Sequence, residues 1–219
     1  MDHAQSGAGS SFSPDRFLRV YIAPVGKAAV GTVGHPERDR QIAAASNDGV
    51  ARERYYSWLL LEYALRQSVG VGTVGAGIRS HEHGGWLSDV CHLSISHSGG
   101  YVAVAVSSEP VGVDIELFRE DKSTDRLAAR WLSEREKKKY DMLADGERAE
   151  FFYEKWTEKE SIFKREMGRS LLPCSIECEL YPTVTRRLTV GDDRLVISVC
   201  AEDVTSAAML ILTEEEYKK

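Results

Sequence analysis

The sequence predicts an α+β fold built from two pseudosymmetric halves, each a small antiparallel sheet packed on a long helix. Two observations predict it. Strand-like segments and amphipathic helices recur in a similar order in each half, and 219 residues suffice for two small domains. We therefore divide the chain into a disordered tail over residues 1–15, an N-terminal half over 16–109 and a C-terminal half over 110–219.

In the N-terminal half, the alternation of apolar and polar residues from Phe17 to Ala23 predicts a first strand. Apolar residues at helical spacing from Gly49 to Val69 predict a long amphipathic helix. Further strands are predicted at 93–95, 101–106 and 111–117. The last two are separated by residues 107–110, whose length and composition suit a hairpin.

The C-terminal half is more charged and begins with short helices predicted at 125–131 and 133–143. Ser133 and Glu136 have the spacing of a capping box at the start of the second of these helices. A longer helix is predicted at 147–167, where apolar residues recur every three or four positions. The remaining predicted strands are 175–180, 195–200 and 207–212.

The composition excludes several classes of protein. A net charge of −6 disfavours a general nucleic-acid binder, which needs basic residues to neutralise phosphates. No apolar run is long enough for a membrane span, and the first residues lack the pattern of a secretory signal, so we expect a cytoplasmic protein. The 4 cysteines are too few for a disulfide scaffold and are expected to be buried apolar groups.

Three local patterns suggest other chemistry. Gly70–Gly75 matches a dinucleotide-binding motif, but a predicted helix precedes it and none follows. The histidines at 81, 83, 92 and 97 leave a zinc site open as a minor alternative, although no further ligand stands at a useful spacing. Ser96 and His97 are neighbours on an extended segment and point to opposite faces, so they cannot form a nucleophile and base pair.

The residues best suited to chemistry lie on one strand and one helix. Asp114 and Glu116 share a face of the predicted strand, about 7 Å apart at their α-carbons, which is close enough to share a hard cation. Glu160 and Lys164 share a face of the long helix. Taken alone, each pair is equally typical of charged side chains on a solvated protein surface. Together with the Ser-His segment they supply the groups needed to handle a diphosphate with Mg²⁺.

Three blocks of the sequence, ISHSGGYVAVAV, VGVDIE and FFYEKWTEKESIFKREMGRSLLP, resemble in order and spacing the blocks that define the Sfp-type 4′-phosphopantetheinyl transferases. The likeness extends more loosely from about Phe17 to the C-terminus. It implies the fold of that family and a Mg²⁺-dependent enzyme that moves the phosphopantetheine arm of coenzyme A to a serine of an apo acyl or peptidyl carrier protein. The reaction releases 3′,5′-ADP, and the family is used in antibiotic biosynthesis among other pathways.

The resemblance also implies roles for individual residues. The Mg²⁺ ligands would be Asp114, Glu116 and Glu160. Glu160 would in addition accept the proton of the carrier serine, and Lys164 would bind the pyrophosphate and stabilise the leaving group. Ser96 and His97 resemble the phosphate-contacting pair, with His97 at the 3′-phosphate of the nucleotide. The carrier protein would dock near the long helix and residues 170–175, and two joined halves make a monomer the default.

One expected basic residue is missing. The family carries Gly-Lys-Pro before the Ser-His block, whereas the corresponding stretch here begins with Gly84, Gly85 and Trp86. We expect Arg38 and Arg54 to compensate in binding coenzyme A. The missing lysine leaves open a catalytically weak member that only binds a carrier protein. The same acids also leave open a Mg²⁺-dependent diphosphate hydrolase or nucleotidyl transferase.

Overall fold

The computed structural model describes residues 16–82, 84–119, 124–167 and 172–218. The predicted tail over 1–15 lies outside the described residues. The first elements are β1 (Leu18–Pro24), α1 (Pro36–Ala43), α2 (Asp48–Val69), β2 (Arg79–Ser80), β3 (Trp86–Leu87), β4 (His92–Ser98) and β5 (Tyr101–Ser107). They are followed by β6 (Val111–Leu117), α3 (Thr124–Trp131), α4 (Glu134–Asp141), α5 (Asp145–Arg165), β7 (Thr183–Val190), β8 (Asp193–Ala201), β9 (Ala208–Ile211) and α6 (Glu214–Tyr217).

The first sheet has the strand order β4-β5-β1-β9 and is covered by α2. Strand β1 is antiparallel to β5 and parallel to β9. Helix α2 is capped at its N-terminus by Asn47, whose side chain accepts a hydrogen bond from the Val50 amide, and at its C-terminus by Gly70 in the left-handed conformation. Its apolar face, which includes Trp58 and Leu61, packs on one face of this sheet.

The second sheet has the order β6-β8-β7, is wholly antiparallel, and is covered by α5. Alternate residues of β1, β5, β6 and β8 form an aliphatic core between the two sheets. The two long helices therefore lie on the outer faces of a pair of sheets. The α+β class is confirmed, and the β1–β9 pair adds a parallel element to the expected antiparallel first sheet.

Two predictions about connections and strands are wrong. Residues 107–110 do not close a hairpin, because β5 pairs with β1 and β4 whereas β6 pairs with β8. The strand predicted at 175–180 is replaced by two short 3₁₀ turns, Pro173–Ser175 and Cys178–Leu180. Helix α1 and strand β7 were not predicted. The division of the chain at residue 110 stays a prediction, and β9 extends the first sheet.

The predicted capping box at α4 is confirmed, since Ser133 and Glu136 exchange side chain to backbone hydrogen bonds. Among the helices of the described residues, none combines the length and apolarity that crossing a membrane requires.

Candidate active site

Strand β6 and helix α5 approach each other closely at Gly112. A Cβ atom at this position would lie 1.8 Å from the carbonyl oxygen of Ser161 and 2.6 Å from the amide nitrogen of Arg165. Ser161 and Arg165 directly follow Glu160 and Lys164 on the helix. The absence of a side chain at Gly112 therefore brings the acid and base of α5 next to the acids of β6.

Lys164 connects α5 to β6 and β4. Its Nζ donates to Oδ1 of Asp114 at 2.6 Å, to Oγ of Ser96 at 2.9 Å and to the carbonyl of Val113 at 3.2 Å. Ser96 in turn donates to Oδ1 of Asp114 at 2.8 Å. Asp114 is only 4% exposed, so its charge is held by this lysine and this hydroxyl rather than by solvent.

The carboxylates around Lys164 repel one another. Burial, together with the neighbouring charge of Asp114, raises the pKa of Glu116 to about 7. Burial and the charge of Asp114 also raise the pKa of Glu160. Lys164 is thus close to three carboxyl groups, so this cluster has more negative charge than the lysine neutralises.

The donor types suit a hard cation such as Mg²⁺, which prefers carboxylate oxygens. Oδ2 of Asp114 is buried and has no hydrogen-bond partner among the described residues, so it offers a ligand atom. Glu116 and Glu160 lie close enough to couple electrostatically with Asp114. Within the described ranges, however, no group of three or more His, Cys, Asp or Glu side chains forms a ready metal cluster, for zinc or any other ion.

A cavity of about 240 Å³ opens beside this cluster, between β4 and α5. Glu160 and Lys164 line one side of it, and Leu93 and Ile95 line another. Its remaining wall includes Trp86 and the two glycines before it, both with positive φ. The cavity therefore places a partly apolar space against the acid and base of α5.

Ser96 and His97 point in opposite directions, as predicted from the strand geometry. Ser96 faces β6 and Lys164, whereas Nδ1 of His97 lies 3.0 Å from Oε2 of Glu53 on α2. Glu53 also lines a second cleft of about 340 Å³, together with Lys27 and Arg52. His97 is therefore adjacent to a cleft that carries two basic side chains.

The structure does not bring Arg38 and Arg54 to this cleft. Arg38 is 6% exposed, and its guanidinium donates to the Arg54 carbonyl, to Gln41 and to Ser57. Burial, with a contribution from Arg54, lowers the pKa of Arg38 to about 10. The Arg54 guanidinium itself donates to the carbonyl of Gln41. Their predicted contact with coenzyme A remains untested, and this geometry gives both groups other partners.

Sequence reasoning did not single out Lys27. The position of Lys27 just after the end of β1 is the feature that could have pointed to it. Because β1 pairs with β5, this position lies near the turn before β5, where Ser96 and His97 also occur. Trp86, which stands near the expected lysine, packs edge-on against Trp58 at 4.8 Å between ring centroids and lies under the Arg38 guanidinium. An aromatic cluster thus occupies this part of the N-terminal half.

A sequence model of the 4′-phosphopantetheinyl transferase superfamily matches residues 110–216. Just under half of the 219 residues are therefore similar to this superfamily. The region matched to the 4′-phosphopantetheinyl transferases contains β6 and α5 and therefore all four residues of the acid and lysine cluster, whereas Ser96 and His97 precede it.

Several curated 4′-phosphopantetheinyl transferases are similar to the chain. A Bacillus subtilis 4′-phosphopantetheinyl transferase is 29% identical over 150 residues, covering 62% of this chain and 65% of the relative. Sfp of Bacillus subtilis strain 168 is 39% identical over 82 residues, covering 36% and 34%. The transferase gsp of Aneurinibacillus migulanus is 33% identical over 107 residues, covering 48% and 44%. Each match spans less than two thirds of the relative's own length.

Proposed function

We propose that the protein transfers the 4′-phosphopantetheine arm of coenzyme A to a serine of an apo carrier protein, with Mg²⁺ and with release of 3′,5′-ADP. The observation that carries this proposal is the cluster of Lys164 with the buried Asp114 and two partly buried glutamates beside a cavity between β4 and α5. The names of the similar proteins support the same activity. Because β4 and α5 come from one chain, we propose that a monomer is active.

The basic groups would bind the two phosphate-bearing parts of coenzyme A. His97, with Lys27 and Arg52 in the adjoining cleft, would contact the 3′-phosphate. Lys164 would contact the pyrophosphate, since its side chain lines the cavity and is partly exposed. Ser96 would donate to a phosphate oxygen from the same side, exchanging its present hydrogen bond to Asp114 for one to the phosphate.

Asp114, Glu116 and Glu160 would hold the Mg²⁺. When bound, the ion would neutralise charge on the attacked phosphate and on the leaving group. Glu160 lines the cavity and has a raised pKa, so it is a better proton acceptor near neutral pH than an ordinary carboxylate.

In the transfer, the carrier serine oxygen forms a bond to the phosphorus that bears the pantetheine. The serine proton passes to Glu160, and the bond from that phosphorus to the bridging oxygen of the pyrophosphate breaks. The electron pair stays on the departing 3′,5′-ADP, where Lys164 offsets the developing charge.

The decisive experiment incubates the protein with coenzyme A, MgCl₂ and a set of apo carrier proteins from fatty acid, polyketide and nonribosomal peptide synthesis. The mass of each carrier is then measured. A gain of one phosphopantetheine on at least one carrier is expected. No gain on any carrier would overturn the transferase proposal. Release of 3′,5′-ADP without a carrier would favour a diphosphate hydrolase, and carrier binding without modification would favour a binding module.

The role of Glu160 is tested with Glu160→Gln. Loss of the proton acceptor and of one metal ligand should lower the transfer rate by about 10²-fold or more. The matched control is Glu150→Gln on the same helix, where Glu150 pairs with Arg187 and Arg194 away from the cavity. The control should keep its activity, and both variants should keep the circular dichroism spectrum of the parent. Full activity in Glu160→Gln would exclude the assigned role.

A further inference from the structure

A row of serine hydroxyls joins the two sheets. Three serines alternate along β4, and their Oγ atoms accept hydrogen bonds from alternate backbone amides of β6. The pairs are Val113 to Ser94 at 3.0 Å, Ile115 to Ser96 at 3.3 Å and Leu117 to Ser98 at 3.3 Å. Each amide lies 19 positions after its serine, so the pattern repeats with the period of two that both strands share.

These hydroxyls serve as hydrogen-bond acceptors at the edge of the second sheet. Among the strands of the described residues, β6 pairs with β8 alone, so its other edge carries amides without a strand partner there. Because β6 is largely buried, those amides need hydrogen-bond acceptors. A serine hydroxyl can accept one hydrogen bond and still donate another. The serines therefore fix the position of β6 along β4 and keep their own protons free for a second partner.

Two of the serines give that second bond to an acid of the site. Ser96 donates to Asp114 at 2.8 Å, and Ser98 donates to Oε2 of Glu116 at 2.5 Å. Each acid lies 18 positions after its serine. The residue 18 positions after Ser94 is Gly112, which has no side chain. Ser94 thus supports the strand without holding a carboxylate, and it serves as a built-in control for Ser98.

We propose that Ser98 is a positioning residue of the active site, whose hydroxyl fixes the Glu116 carboxylate for cation binding while it anchors β6 to β4. This inference rests on the proposed function, because that function makes Glu116 a Mg²⁺ ligand. Ser98 needs no contact with substrate for this role. It acts on the orientation of one ligand oxygen, as residues hydrogen-bonded to metal ligands commonly do.

The test compares Ser98→Ala, Ser98→Thr and Ser94→Ala with the parent protein. Mn²⁺ serves as the probe, and the free ion is measured by electron paramagnetic resonance in the presence of coenzyme A. Ser98→Ala should weaken Mn²⁺ binding by about 10-fold to 100-fold. Ser98→Thr keeps the hydroxyl and should restore most of the affinity. Ser94→Ala should bind Mn²⁺ as the parent does.

Hydrogen exchange of the β6 amides provides a second readout. Both alanine variants remove one acceptor, so residues 111–117 should exchange faster in each, although only Ser98→Ala should lose Mn²⁺ affinity. Unchanged Mn²⁺ affinity in Ser98→Ala would overturn the proposal, as would an equal loss in Ser94→Ala. If Ser98→Ala does not fold, Ser98→Cys is measured instead, since its thiol keeps the shape but donates weakly.

The outcomes also separate this inference from the proposed function. A parent protein that transfers phosphopantetheine while Ser98→Ala binds Mn²⁺ normally would refute only the positioning role. A parent protein whose Mn²⁺ affinity depends on Ser98 but that modifies no carrier would refute only the transferase. A parent protein that neither binds Mn²⁺ nor modifies a carrier would refute both.

Discussion

The ammonium of Lys164 lies 2.6 Å from Oδ1 of Asp114, which precedes it by 50 positions in the chain. This contact joins the last turn of α5 to the centre of β6. Asp114 is almost fully buried, whereas the side chain of Lys164 is 27% exposed. The buried charge of Asp114 therefore depends on Lys164 for its neutralisation, whereas Lys164 is itself partly exposed and lines the cavity.

Replacing Lys164 by methionine should leave the buried Asp114 charge without its cation. We expect the free energy of unfolding to fall by about 2–3 kcal/mol, somewhat less than for a fully buried pair. Asp114→Asn in the same background should recover part of this loss, because it removes the unpaired charge. Urea unfolding of the parent, both single variants and the double variant measures the coupling. Strictly additive losses would show that the two groups do not stabilise each other.

Gly112→Ala should force α5 away from β6, because the new methyl group would overlap the Ser161 carbonyl. We expect a loss of about 1–3 kcal/mol in the free energy of unfolding, together with a loss of transfer activity. Gly146→Ala is the matched control. Gly146 lies near the start of α5 with nothing within 4 Å of an added Cβ, and alanine there should stabilise by about 0.4–1 kcal/mol. Urea unfolding and the carrier assay measure both effects. Equal stability of the two variants would contradict the packing argument.

Lys159 should be essential for stability, because it is a fully buried cation. Its Nζ lies 2.7 Å from Oε2 of Glu136 and donates to the carbonyls of Pro173 and Ile176. Lys159→Met would leave the charge of the partly buried Glu136 without its cation and would remove one donor from each of the two carbonyls, at a cost of about 3–5 kcal/mol in the free energy of unfolding. Lys155→Met, which breaks a more exposed pair with Glu158 on the same helix, should cost about 1 kcal/mol or less. Similar losses by urea unfolding would refute the distinction.

The contact between Glu53 and His97 should contribute stability that depends on pH. The hydrogen bond from His97 lowers the pKa of Glu53 below its ordinary value of 4.5, against the opposing effect of burial. Between the folded pKa of Glu53 and its ordinary value of 4.5, the unfolded chain binds more protons than the folded one. The stability that this contact contributes is therefore fully present above pH 4.5 and is lost as the pH falls through the lower folded pKa.

Glu53→Gln should therefore reduce the free energy of unfolding near neutral pH, and its difference from the parent should shrink below pH 4.5. Chemical unfolding followed from pH 7 to pH 3 measures this difference. In a His97→Ala background the pH-dependent part should largely vanish, because the main cause of the shift is gone. A difference that grows on acidification would have the wrong sign for this mechanism.

The elements that carry the site could be predicted from the sequence, because their patterns are local. The strand over 111–117 was predicted with the bounds that the structure gives to β6, since alternation sends Val113 and Ile115 into the core. The long helix over 147–167 overlaps α5 for the same reason, with an apolar stripe at helical spacing. The alternation along 96–98 also predicted correctly that Ser96 and His97 face opposite sides.

The errors arise where distant residues decide the outcome. The contact of Arg38 with coenzyme A was expected from the resemblance and stays a prediction, but the sequence did not show that Trp58 and Trp86 enclose its guanidinium from well separated positions. Strand β7 was missed because Arg186 and Arg187 break its apolar pattern on an exposed edge, while its pairing with β8 maintains the strand. The partner strands of β5 and β6 cannot be inferred from the four residues between them.

The β1–β9 pair has a consequence for how the chain is made. The amide of Leu212 donates to the carbonyl of Ile22, and the Tyr217 hydroxyl donates to the Pro24 carbonyl 193 positions away. On the ribosome, β1 must present an open edge until residues 208–211 emerge, and an open edge invites pairing with other chains. Once β9 has paired with β1, it links the first sheet to the second, because β8 directly precedes it in the chain. The halves should therefore unfold together in one cooperative transition rather than one after the other.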